Sequence, residues 1–298
     1  MKRTVIICLL ILISVGGTLS YMDYRGQYAA ERYMWRLNKQ FSKLAKDVQN
    51  NPEAHYKEIE NKYRNFMKRF PDSSLFPAAH VYIGRVYILQ KKYEEAREIF
   101  SEIIARYPEN QEVVLIAYQE IVQSYINEGD IASALSIYKT IRDEYPLTLF
   151  GLKVPLLMAV LYADNDDPQW SNKAFESAVR YYNDLIKKYP NTPVEYHALY
   201  LLVRCYSAEN NWEKTLETMR SILIQYSSEK YLDQKKAENL IKGINGIAIG
   251  KLENSDLAVD IYKDFIGQHP DHALNQTLKK LIDSIENLKT NSAELMVK

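Results

Sequence analysis

Glycine and proline are scarce in these 298 residues, ten of each, and no stretch concentrates either of them. That leaves no low-complexity linker and favours one continuous body over beads on a string. Cysteine is nearly absent. Cys8 lies in an apolar N-terminus, Cys205 stands alone, and neither has metal-ligand spacing, so there is no disulfide framework to read. Charge of either sign is not in excess, with 38 Lys and Arg against 38 Asp and Glu. No basic surplus points to nucleic acid, and there is no acidic tail.

Motifs for chemistry are also lacking. The chain has no glycine-rich phosphate loop and no nucleophile elbow. The five histidines, His55, His80, His197, His269 and His272, are scattered, and Pro270 separates the last two. The stretch DNDDPQ, Asp164 to Gln169, superficially suggests a calcium loop. It has Gln169 where such a loop needs glycine and Phe175 where it needs the closing glutamate, so a helix-capping loop fits better. Trp35, Trp170 and Trp212 fall in or beside helical patterns, and core packing is expected for them. The expectation is a non-enzyme with no catalytic or metal residues, no cofactor and no small-molecule substrate.

Tyrosine, by contrast, is abundant at 24 residues, and it recurs in a pattern. The endings NFMKRFPDS, IIARYPEN, TIRDEYPLT, LIKKYPNTP and DFIGQHPDH close on Pro71, Pro108, Pro146, Pro190 and Pro270, with SILIQYSSE closing on Ser227. Twelve residues before four of these prolines stands a small residue: Ala96, Ala134, Ala178 and Ala258. Eight before them stands an aromatic: Phe100, Tyr138, Tyr182 and Tyr262. Thr215 and Met219 hold the same places before Ser227. Gly84 and Tyr87 precede Ala96 by twelve and nine. Small residues let two antiparallel helices approach, aromatics fill the space beside the contact, and proline stops the second helix.

This pattern resembles the tetratricopeptide repeat, a 34-residue helix–turn–helix unit. The resemblance implies an all-α, right-handed α-solenoid of about six such units. They are expected near 24–73, 77–110, 115–148, 152–192, 196–229 and 239–272, with a capping helix at 273–290 and the whole solenoid at 23–298. Gly246 fills the small position of the last unit. Seven extra residues before Pro190 are expected in the turn within ADNDDPQW. Those before Pro270 are expected between units, in SEKYLDQKKA.

The resemblance further implies that the first helix of each pair lines a concave groove. Carried over position by position, the lining is Arg85, Ile88, Gln119, Gln123, Ile126, Lys153, His197, Tyr200 and Arg204. Such a lining suits an extended peptide or a helix of a partner protein. A rival expectation is an adaptor that docks through its end faces, and a third is an enzyme with a cryptic site.

At the N-terminus Lys2 and Arg3 precede an uncharged stretch from Thr4 to Met22. Residues 1–22 fit either a signal peptide cut after Gly17 or a spanning anchor. A lipidation site at Cys8 and a buried helix fit less well. Either favoured reading exports the remainder, anchored in the inner membrane or soluble in the periplasm. Units ending in YP behind an export signal are similar to bacterial envelope repeat proteins, among them the lipoprotein of the outer-membrane β-barrel assembly machinery. The missing lipidation cysteine departs from that pattern.

Overall fold

The computed structural model describes residues 26–48, 51–165 and 168–296, with side chains to residue 289. The 1–22 segment expected as signal or anchor lies outside them. The described residues form thirteen α-helices and no strand. The chain divides after Glu144 into two compact units.

The first unit holds α1 (Gln27–Lys46), α2 (Glu53–Arg69), α3 (Phe76–Leu89), α4 (Tyr93–Arg106), α5 (Gln111–Glu128) and α6 (Ile131–Glu144). Odd-numbered helices open each hairpin and even-numbered ones close it. One core joins α1 and α2 to α3 through Ala30, Leu37, Tyr63, Phe66 and Ile83. A second joins α3 and α4 to α5 through Val81, Ala96, Phe100 and Ala117. The first two hairpins therefore complete their cores with the next opening helix, which is how a repeat that cannot bury its face alone becomes stable.

The second unit holds α7 (Leu149–Asp164), α8 (Pro168–Lys188), α9 (Pro193–Ala208), α10 (Trp212–Gln225), α11 (Gln234–Ala248), α12 (Ser255–Gln268) and α13 (Asn275–Met296). Leu156, Ala159, Ala178, Tyr182 and Ala198 make one core. The other runs from Tyr196 through Tyr262 and Phe265 to Leu278, Ile282 and Ile285, so α13 covers the last hairpin.

The closing motif is a helix stop in atomic detail. The residue before the proline makes the last helical hydrogen bond, as in Tyr107 N to Ile103 O at 3.0 Å and His269 N to Phe265 O at 2.9 Å. The small positions Ala96, Ala134, Ala178, Thr215 and Ala258 are fully buried. The turns inside four hairpins share a feature that the repeat pattern did not reveal. Lys91, Gly129, Asn210 and Glu253 adopt positive φ of 59°, 85°, 55° and 53°. Each lies five residues before its small residue.

Three sequence expectations change. The seven extra residues lie in a helix and not in a turn: α8 has 21 residues where α10 has 14, and α7 runs to Asp164. Seven residues are two helical turns less about 20°, so Ser171 and Phe175 extend the buried face of Ala178, Tyr182 and Leu185 without a phase break. Trp35 and Trp170 are exposed, at 64% and 52%, so only Trp212 packs against a core. Gly246 faces no neighbour within 4 Å, so nothing there requires a small residue.

Candidate functional site: the opening-helix faces

In the first unit, Arg85 and Ile88 stand on α3, and Gln119, Gln123 and Ile126 on α5. Arg85 is committed within the protein. Its Nη2 and Nε meet Glu120 Oε1 at 2.6 and 2.7 Å, and its guanidinium lies 5.2 Å from the Tyr82 ring. Gln119 donates to Leu115 O and Gln123 to Asn127 Oδ1, each within its own helix. Ile88 and Ile126 are half-buried. This half offers amides and aliphatic edges, with its cation neutralised.

The second unit differs. Lys153 stands on α7, His197, Tyr200 and Arg204 on α9. His197 is half-buried, and its imidazole is held below the ordinary histidine range by burial first, then by Lys153 and Lys236. Three successive opening helices, α7, α9 and α11, thus meet around this imidazole, with Lys153 exposed and Lys236 paired to Asp233 Oδ2 at 3.1 Å. The Tyr196 hydroxyl donates to Tyr231 O at 2.6 Å. The rings of Tyr196 and Tyr200 meet edge-on at 4.9 Å. Arg204 is exposed and makes no ion pair among the described residues.

Two residues of these faces were missed. Lys236 precedes the expected start of the last unit at 239. The signal was Asp233, whose Oδ1 caps α11 by accepting from Lys236 N at 3.0 Å. Glu120 falls one position from Gln119 and was left out by the position rule; it is the acid that neutralises Arg85.

Other candidates are structural. His269 and His272 donate from Nε2 to Ile224 O and Ser227 O, at 2.8 and 3.1 Å, so both rings tie one hairpin to the previous one. Cys205 is buried, and burial pushes its thiol up to about 12. Among the described residues no three potential metal ligands cluster, and no helix is long and apolar enough to cross a membrane. A cleft of about 570 Å³ between α10 and α12 has an apolar floor of Leu216, Leu257 and Ile261. Two of its charges are paired across helices, Arg220 with Asp264 and Lys263 with Glu286, and Glu213, Glu217 and Asp260 leave the rim acidic.

Models of the tetratricopeptide repeat match residues 60–110, 87–152 and 156–192. Residues 60–152 and 156–192 carry tetratricopeptide repeats. No curated protein matches its sequence. Among solved structures it is similar to a thermophilic tetratricopeptide repeat protein of Thermus thermophilus. Identity is 15%, over 70% of this chain and 97% of that one, with a TM-score of 0.38. A repeat protein from Parabacteroides merdae is 15% identical over 85% and 98%, with a TM-score of 0.33. BtubC from P. vanneervenii is 12% identical over 74% and 91%, with a TM-score of 0.42.

Proposed function

We propose that this protein is a non-catalytic scaffold in the bacterial cell envelope that holds acidic segments of partner proteins against its opening helices. Tetratricopeptide repeats are in general scaffolds for protein–protein interaction. The observation that carries the specific reading is the aromatic face of the second unit, where Lys153 and Lys236 both bear on the half-buried His197 and Arg204 stands exposed beside them on α9. Lys153 and Arg204, both exposed and in no ion pair among the described residues, with a row of tyrosines suit carboxylates flanked by apolar anchors, while Lys236 is shared with Asp233 at 3.1 Å. The envelope part rests on sequence alone, on Lys2 and Arg3 ahead of the uncharged stretch from Thr4 to Met22.

The test uses the full chain and fluorescent peptides of matched hydrophobicity carrying acidic, neutral or basic residues. Acidic peptides are expected to bind best, and Lys153→Glu with Lys236→Glu to weaken them about tenfold. Equal binding of all three peptides would contradict the reading. A second reading, docking through an end face, draws support from the first unit, where the Arg85–Glu120 pair leaves no uncommitted cation among the five residues expected there. Under that reading the double variant binds its native partner unchanged.

A further inference from the structure

The first helix carries an asymmetry that the repeat does not require. The whole chain is neutral, yet α1 has five basic residues, Arg32, Arg36, Lys39, Lys43 and Lys46, against the single acid Glu31. At 100° per residue, Tyr28, Arg32, Trp35, Arg36, Lys39 and Lys43 fall within an arc of about 100°. Lys46 extends that stripe, and Glu31 stays outside it, accepting from Gln27 Nε2 at 3.1 Å. The core residues Ala30, Met34, Leu37 and Leu44 occupy the opposite side.

The stripe is open to solvent. Tyr28 is 66% exposed and Trp35 64%, and both arginines are exposed. Arg32 and Arg36 make no ion pair among the described residues. They border a cleft of about 330 Å³ whose other walls are Tyr28, Tyr33, Arg69 and Phe70. The Arg69 guanidinium lies 5.2 Å from the Phe70 ring and 5.8 Å from Tyr33, and Lys39 Nζ lies 5.3 Å from the Trp35 ring. Guanidinium forks match phosphate oxygens, and aromatic rings edged by cations sit well at a membrane–water boundary. No acid lines this cleft; Asp72 borders the neighbouring one.

Chain length connects this stripe to a membrane. The uncharged stretch ends at Met22, and four residues separate it from Gln27, five steps with a reach of at most about 18 Å. We propose that the outer stripe of α1 lies on anionic phospholipid, with Arg32, Arg36 and Arg69 seating a headgroup phosphodiester. This rests on the reading of residues 1–22 as an uncleaved anchor. The anchor supplies attachment, and the stripe supplies lipid choice and fixes the orientation of the first hairpin. Each cation near a charged surface is worth about fivefold in partitioning, so five of them outweigh Glu31 readily.

The test places the full chain, labelled with fluorotryptophan, in lipid nanodiscs of phosphatidylcholine alone or with phosphatidylglycerol. The Trp35 resonance is assigned from a Trp35→Phe sample. The expected result is a Trp35 shift and shielding from aqueous quencher only with phosphatidylglycerol, lost in high salt and in Arg32→Glu with Arg36→Glu. The same Trp35 signal in both discs, or a signal that survives the double variant, would overturn the proposal. So would an equal shift in neutral discs on adding inorganic phosphate or duplex DNA, since either would assign the stripe to another anion. Retention of the chain by neutral discs reports the anchor and Trp35 reports the stripe, so the two readings fail separately. Circular dichroism checks that the exposed substitutions leave the helices intact.

Discussion

Gly84 on α3 lies directly against the Phe100 ring on α4, so close that a Cβ at Gly84 would stand 2.6 Å from Phe100 Cε1 and Cζ. Phe100 is fully buried and has no room to retreat. Gly84→Ala is therefore expected to destabilise the first unit by about 1–2 kcal/mol, the cost of overpacking less the gain in helix propensity. Gly246→Ala meets nothing within 4 Å and should stabilise by about 0.5–1 kcal/mol. Urea titration of both variants checks the pair, and equal effects would mean that Gly84 is not a contact point.

Tyr182 and Tyr107 differ in what their hydroxyls do. Tyr182 donates to Leu152 O at 2.9 Å and accepts from Leu156 N at 3.2 Å, astride Pro155 inside α7. A proline at that place disturbs the helical ladder, and the phenol satisfies the groups beside it. Burial keeps this phenol protonated far above its usual range. Tyr107, which belongs to the closing motif, has a buried hydroxyl without a partner among the described residues. Tyr182→Phe should cost about 1–3 kcal/mol and Tyr107→Phe nothing or less. Thermal melts of the two variants read the difference.

The left-handed turn residues predict a gain. Lys91 and Glu253 hold positive φ with a full side chain, which costs roughly 1–2 kcal/mol relative to glycine in the same conformation. Against the greater freedom of glycine in the unfolded chain, Lys91→Gly and Glu253→Gly are each expected to add up to about 1 kcal/mol. Denaturant midpoints that fall for both variants would contradict the turn geometry.

His80 makes stability depend on pH. It is buried on α3, and burial holds its imidazole below 6.5, with Glu102 pulling the other way and Arg106 and Arg64 adding to the depression. Its Nδ1 is buried without a hydrogen-bond partner among the described residues. The unfolded chain therefore takes up the proton first as pH falls below 6.5, so stability is present above that value and declines beneath it. His197 is shifted in the same direction. The melting temperature should fall between neutral pH and pH about 5, and His80→Leu should flatten that fall. An unchanged slope in the variant would assign it elsewhere.

Much of the fold was legible because the hairpin contact tolerates few residues. Ala96, Ala134, Ala178 and Ala258 are all at zero exposure, so the pattern of small residue, aromatic and proline survives in the sequence. The extension of α8 was not legible, because two added turns leave the spacing to Pro190 the same wherever the seven residues lie. The left-handed turns were hidden because only Gly129 among the four is glycine. The faces of the opening helices were half legible. Position counting named Lys153, His197 and Tyr200, but part of the shift at His197 comes from Lys236, which enters from a helix that begins earlier than the repeat. The position rule also marked Arg85 without seeing that Glu120 on the neighbouring helix would hold it.

The proposed scaffold role turns on which surface meets the partner. A photo-crosslinking residue placed at Arg204, exposed on α9, and another at Arg180, exposed on the closing helix α8, test this in living cells. The account predicts a discrete protein adduct from position 204, lost on Lys153→Glu with Lys236→Glu, and none from position 180. Adducts from 180 alone, or from 204 regardless of the charge reversal, would contradict it.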